Sequence, residues 1–125
     1  MDERTIRKPG PDHPITIEKN SSHLVVSVAG QVIADTHQAL DLREANYPVV
    51  HYIPRSDVSM QLLQRTSHLT YCPYKGECAY FSIPLGGVKS VNAVWTYEEP
   101  YHAVADIKEY MAFYPNRVDS LAVML

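Results

Sequence analysis

Residues 68–83 contain the densest group of chemically versatile side chains in the sequence. If residues 74–76 form the loop of a β-hairpin, Gly76 supplies the left-handed backbone conformation that such loops favour. Side chains alternate across a sheet, so one face of the hairpin then carries thiols, an imidazole, a phenol and hydroxyls. The expected pairing on that face matches Cys72 with Cys78, Thr70 with Tyr80 and His68 with Ser82.

The two faces of this predicted hairpin differ in chemistry. One face is apolar and is predicted to join the core, with Leu69, Tyr71, Phe81 and Ile83 buried. The polar face is either a solvated outer surface or the wall of a pocket. The pocket interpretation follows because this face lacks Lys and Glu, whereas solvent-facing strand positions usually carry long charged side chains. Its groups titrate or donate hydrogen bonds, as the groups of a binding site do.

Three residues of this segment are candidates for catalysis. Cys72 is a nucleophile if Lys75 folds back from the turn and stabilises its thiolate. His68 or Tyr80 is then the acid–base partner. Alternatively, Cys72 and Cys78 close a cross-strand disulfide, although a reducing compartment favours free thiols. The catalytic hypothesis therefore rests on Cys72, Lys75 and His68.

Aromatic residues outside the hairpin are candidates for ligand binding. Trp95 and Tyr97 share one strand face, where they are either core residues or a wall beside a ligand. If residues 67–73, 77–83 and 88–97 form a meander, one of these two aromatics lies beside Tyr80. Asp57 is either a helix-start residue or an acid–base group. The predicted ligand-binding set is Tyr52, Asp57, Thr70, Tyr80, Trp95 and Tyr97.

Length, charge and composition argue against several classes of partner, namely nucleic acids, membranes and metal ions. The chain has 125 residues and a net charge of −3, and its basic residues form no clustered stripe. Phosphate contacts need such a stripe, so neither a nucleic acid nor an anionic membrane is an expected partner. Two cysteines cannot form a four-thiolate zinc knot, and we predict no metal and no cofactor. The N-terminus has no signal-like apolar stretch, which predicts a cytoplasmic protein.

The hydrophobic pattern predicts a mainly β fold that positions these residues. Alternation predicts strands at 15–19, 23–28, 31–34, 49–53, 67–73, 77–83 and 88–97, with Gly86-Gly87 joining the last two. Residues 39–44 fit a strand or a short helix, and the strand is favoured. Helical spacing predicts one short C-terminal helix at 101–111, and Ser56 can cap a short helix near 57–63. The proline-rich residues 1–14 predict an extended arm before a single β-rich domain at 15–125. The apolar tail is able to seal a homodimer.

Several short motifs together resemble a known family. They include Tyr52-Ile53-Pro54-Arg55-Ser56-Asp57-Val58, Thr70-x-Cys72-Pro73-x-Lys75-Gly76, Trp95-x-Tyr97 and Phe113-Tyr114-Pro115. Over about residues 8–120 the chain is similar to the domain of unknown function 427 family, sometimes labelled nucleotidyltransferase-like. The resemblance implies a β-tent-like fold of small antiparallel sheets, a groove between sheets and no established activity. Cys78 departs from the family pattern, which counts against a functional Cys72–Cys78 pair.

Two function classes remain from the sequence. The first is a module that binds a small organic ligand in a groove lined by Tyr, Trp and the Cys-Pro-x-Lys-Gly hairpin. The second is a small enzyme that uses Cys72 or Lys75 with His68 or Tyr80 for acid–base or covalent catalysis. The transferase label has no support in the sequence, since there is no glycine-rich phosphate loop and no paired acidic metal site.

Overall fold

Alternating apolar residues form the strands in the first half of the chain. In β2 (His23–Val28), Leu24, Val26 and Val28 are buried, whereas the residues between them are half-buried. This pattern arises because one face of the strand meets the core.

The computed structural model describes residues 4–124. The other strands in this range are β1 (Ile15–Asn20), β3 (Gln31–Thr36), β4 (Ala39–Glu44), β5 (Val50–Tyr52), β6 (Gln64–Cys72), β7 (Gly76–Ser82), β8 (Val94–Thr96), β9 (Met111–Phe113) and β10 (Ser120–Met124).

These strands form three small antiparallel sheets, so the predicted mainly β class is confirmed. The first sheet has the order β1-β4-β5, and the second has the order β10-β2-β3. The third sheet is the meander β6-β7-β8-β9. The ambiguous residues 39–44 are the strand β4, which pairs with β1 along its whole length. The apolar tail forms β10 and pairs with β2.

The four-stranded sheet packs against a hydrophobic cluster on each of its faces. Phe81 and Val94 face a cluster that includes residues of β2 and β3. Tyr80 and Ala112 face a second cluster that includes Leu42 of β4 and residues of β5. Strand β7 is therefore buried on both sides, and the side of the hairpin that the sequence marks as polar faces a core at this strand.

Helical structure is shorter than the sequence predicts. The C-terminal helix expected over 101–111 is a 3-10 segment, His102–Ile107, with non-helical torsion angles at Val104. Its last predicted residue, Met111, instead begins β9, because it pairs with Thr96 and exchanges backbone hydrogen bonds with Ile53. The helix expected near 57–63 is replaced by two short 3-10 turns, Arg55–Asp57 and Met60–Leu62.

The strand predicted at 88–97 is wrong over its first half. Residues Pro84–Ser90 form a 3-10 segment, and only Val94–Thr96 are a strand. Gly86 and Gly87 lie inside this segment rather than in a hairpin loop. A Cβ on Gly86 would lie 1.9 Å from Ser90 Oγ, so the compact turn requires a glycine at this position.

Over Leu69–Cys72 the register of the β6–β7 hairpin differs from the predicted register by two residues, and beyond an irregularity between Arg65 and Leu69, Ser82 pairs with Gln64 and not with His68. Cys72 pairs with Gly76 and Thr70 pairs with Cys78, so the two cysteines are not opposite each other. A shift of two residues keeps every side chain on its predicted face, whereas a shift of one would reverse all of them. Because β6 is an edge strand, Leu69 is 53% exposed rather than buried.

Residues 4–14 run beside this hairpin. The Arg7 backbone N–H donates to the carbonyl oxygen of Pro73 at 2.9 Å. The Tyr71 hydroxyl donates to the carbonyl oxygen of Thr5 at 2.6 Å. The His13 ring stacks on the Tyr74 ring with 4.0 Å between centroids. None of the helical segments in residues 4–124 is long and apolar enough to span a bilayer.

Candidate functional site

A cavity of about 640 Å³ lies on the aromatic side of the four-stranded sheet. Strands β4, β5, β7 and β8 and the segment after β9 contribute its walls. This volume lies within the range of small-molecule sites. The aromatic lining is Tyr47, Tyr52, Tyr80, Trp95, Tyr97, Phe113 and Tyr114, and the polar lining is Glu44, His51, Lys75 and Cys78.

Trp95 is the centre of the aromatic wall. It is directly opposite Tyr80 on the neighbouring strand, as the meander predicts. Its indole Nε1–H donates to the Tyr52 hydroxyl oxygen at 3.2 Å, and the Tyr52 ring meets it edge-on with centroids 6.3 Å apart. The Tyr114 ring also packs against the indole, with centroids 4.5 Å apart. These contacts and the hydrogen bond to Tyr52 hold the indole in one orientation.

Three tyrosine hydroxyls of this wall, those of Tyr52, Tyr80 and Tyr97, are neutral groups. Burial raises the pKa of Tyr52, Tyr80 and Tyr97 well above the usual value for a phenol. Hydrogen bonds from Trp95 to Tyr52 and between Thr70 and Tyr80 counter this effect only in part. The phenols therefore keep their protons at neutral pH and act as hydrogen-bond donors or acceptors, not as bases.

Two charged side chains, Lys75 and Glu44, contribute to the cavity lining. Lys75 is only 8% exposed, and its Nζ donates to Glu44 Oε1. The second oxygen of Glu44 lies 2.7 Å from His13 Nε2. Burial alone would raise the pKa of Glu44, but the hydrogen bonds from Lys75 and His13 outweigh it, and the pKa is lowered. The carboxylate is therefore ionised and held between two basic side chains.

The thiol that lines the cavity belongs to Cys78 and not to Cys72. Cys78 is buried on β7, and burial raises the pKa of its thiol, with partial compensation from the hydroxyls of Tyr80, Thr70 and Tyr97. A protonated thiol is a weak nucleophile. Both cysteines are free.

The structure brings together five of the residues that the sequence predicts. Tyr52, Lys75, Tyr80, Trp95 and Tyr97 all line the cavity.

The other four predicted residues do not line it. Cys72 is half-buried beside the aromatic core. Thr70 is exposed, and its hydroxyl lies 2.9 Å from the Tyr80 hydroxyl. His68 is exposed, and its ring lies 4.5 Å from the Tyr80 ring. Asp57 accepts a hydrogen bond from Thr36 Oγ1 at 2.7 Å, which ties its turn to β3.

In the Tyr52–Val58 motif, some residues line the cavity and others stabilise the fold around it. Tyr52 reaches the cavity, whereas Arg55 donates to Thr96 Oγ1 at 3.2 Å and to the Glu109 carbonyl oxygen at 3.1 Å. Asp57 and Arg55 therefore connect this turn to two different sheets. Most of the motif supports the fold that holds Tyr52 in place.

Sequence reasoning missed Glu44, His13 and Tyr114. Glu44 is the last residue of an alternating strand, with nothing nearby in the sequence to mark it as part of a site. Tyr114 was visible within the Phe113-Tyr114-Pro115 motif. His13 follows a proline-rich segment, and only the folded arm brings it to Glu44.

Within residues 4–124, no group of three or more His, Cys, Asp or Glu side chains is arranged to hold a metal ion. The fold and cavity thus define a small, mainly β domain with an aromatic site. Residues 16–124 match the family model described as Domain of unknown function (DUF427), and the chain belongs to that family. No curated protein matches the chain significantly.

Proposed function

We propose that this protein binds a small, flat organic molecule in the aromatic cavity. The observation that carries the proposal is the cavity of about 640 Å³, whose walls are mostly apolar and include seven aromatic side chains, with a few polar side chains such as Lys75 and Glu44 among them. Aromatic faces bind unsaturated rings, and a few convergent polar groups fix a ligand's orientation. The β-tent arrangement and the cytoplasmic location stay predictions.

Binding has more support than catalysis. The enzymatic alternative needs Cys72 or Lys75 beside His68 or Tyr80, and only Lys75 and Tyr80 line the cavity. The thiol that does line it, Cys78, has a raised pKa because it is buried. Burial likewise raises the pKa of the phenols of Tyr52, Tyr80 and Tyr97 and holds them in their protonated form. The site thus offers shape and hydrogen bonds rather than an activated nucleophile.

A screen of small aromatic compounds tests this proposal. The chain has one tryptophan, so its fluorescence reports on Trp95 alone. We expect flat ring compounds to change that fluorescence and to raise the melting temperature, because a ligand that binds the native state stabilises it. The absence of both effects across the screen would contradict the proposal.

A matched pair of variants locates the binding site. Val50→Phe adds bulk to a residue that lines the cavity, whereas Val32→Phe adds the same bulk to an exposed position of β3. We expect the first variant to lose the response to the active compounds and the second to keep it. Equal responses in both folded variants would place the ligand elsewhere.

A further inference from the structure

We infer that the cavity selects ligands that carry a carboxylate on a flat ring, and that Lys75 receives the carboxylate. This inference rests on the proposed binding function and adds the chemical class of the ligand. The inference depends on a comparison of the hydrogen-bond acceptors and donors that line the cavity. The acceptors already have partners, whereas some donors can form further hydrogen bonds.

The one acidic group that residues 4–124 contribute to the cavity lining, Glu44, already has a basic partner at each of its oxygens. Glu44 uses one carboxylate oxygen for Lys75 and the other for His13. The imidazole in the lining, His51, faces Asp41 through its Nδ1 at 2.6 Å. A cationic ligand would therefore share Glu44 with two existing partners, and it would be repelled by Lys75.

The donors of the cavity have capacity left. A lysine ammonium carries three N–H groups. Among residues 4–124, Lys75 Nζ donates a side-chain hydrogen bond to Glu44 alone. The Tyr52 hydroxyl accepts from Trp95, so its own O–H is available to donate. Buried donors with unused capacity favour a ligand that brings hydrogen-bond acceptors.

Charge favours an acceptor that is ionised. Lys75 is almost fully buried, and hydrogen bonds between ionised groups are roughly twice as strong as those between neutral groups. Each oxygen of Glu44 already has a basic hydrogen-bond partner. A ligand carboxylate at Lys75 would be a second ionised acceptor for an ammonium group that carries three N–H donors. The ligand's ring would then lie toward the wall formed by Trp95 and Tyr52.

Three matched probes test the inference on the unmodified protein. Phenylacetate is anionic, phenylacetamide is neutral, and 2-phenylethylammonium is cationic, and all three carry the same ring. Titration followed by Trp95 fluorescence gives the dissociation constants. We expect phenylacetate to bind about tenfold or more tightly than phenylacetamide, as a charge-assisted hydrogen bond predicts. The cation is expected to bind most weakly.

Variants assign the selectivity to one residue. Lys75→Met should bring phenylacetate down to the affinity of phenylacetamide, whereas Lys75→Arg should keep the preference. Lys89→Met is the control, because Lys89 is exposed and pairs with Asp119 away from the cavity. A folded Lys75→Met variant that keeps the full preference would overturn the role of Lys75.

The outcomes separate the two proposals. Equal binding of the three probes, or strongest binding of the cation, would overturn the carboxylate selectivity and leave the binding function standing. No response to any probe or to any compound of the wider screen would overturn the binding function itself. The comparison of probes on the unmodified protein decides the selectivity even if Lys75→Met does not fold.

Discussion

Replacement of Tyr80 by alanine separates the packing role of this residue from its place in the cavity wall. Tyr80 is 7% exposed in the middle of β7, so its ring contributes to the core as well as to the site. Deletion of a large buried aromatic side chain costs about 3–5 kcal/mol. One side of the Tyr80 ring already borders an open cavity, so fewer contacts are lost, and we expect a cost near the lower limit, about 3 kcal/mol.

The expected change is large enough to measure by urea unfolding. For a domain of this size, about 3 kcal/mol corresponds to a drop in melting temperature of roughly 12 °C. Tyr80→Phe should cost only about 0.5 kcal/mol, because it removes one hydrogen bond to the exposed Thr70 hydroxyl, which water can replace. Both variants keep Trp95, so its fluorescence follows unfolding in each case.

Tyr47 provides a matched control, since it lines the same cavity but is 63% exposed. Tyr47→Ala should change the free energy of unfolding by less than about 0.5 kcal/mol. If Tyr80→Ala costs no more than Tyr47→Ala, the inference that Tyr80 is a packing residue is refuted.

Three further results are expected. Glu44→Gln should destabilise the protein at neutral pH, because the folded-state pKa of Glu44 lies below its ordinary value of 4.5. The difference in urea midpoint from the unmodified protein should shrink as the pH falls below that value, and a constant difference would contradict this. Glu18→Gln, at an exposed position of β1, is the matched substitution control. In the native protein a thiol reagent should label half-buried Cys72 well before buried Cys78, and equal labelling rates would contradict this order. Elemental analysis after dialysis should find no stoichiometric zinc, whereas about one zinc per chain would require a site that the sequence does not predict.

Local sequence patterns determined the class of the fold and the faces of its strands. Alternation alone predicted β2 and β7, and it placed Thr70 and Tyr80 on one side of the hairpin. It could do so because side-chain direction in a strand depends only on position along that strand. The pairing of consecutive strands predicted that Trp95 or Tyr97 lies beside Tyr80, and in the structure the residue opposite Tyr80 is Trp95.

Long-range pairing decided the elements that local patterns could not. Strand β9 is only three residues long and exists because Met111 pairs with both β8 and Ile53. The helical spacing of residues 101–111 competes with that pairing and yields a short 3-10 segment instead. Tertiary contacts thus overrode a local propensity.

The site shows the same division. Its aromatic residues were visible from the sequence because Tyr and Trp on strand faces carry a recognisable signal. The charged residues of the site could not be grouped from the sequence, because Glu44 lies 31 positions from both His13 and Lys75 along the chain. Only the folding of the arm and the hairpin against β4 brings these three side chains together. A hydrogen bond between distant residues depends on where the backbone runs in space, and no local pattern contains that information.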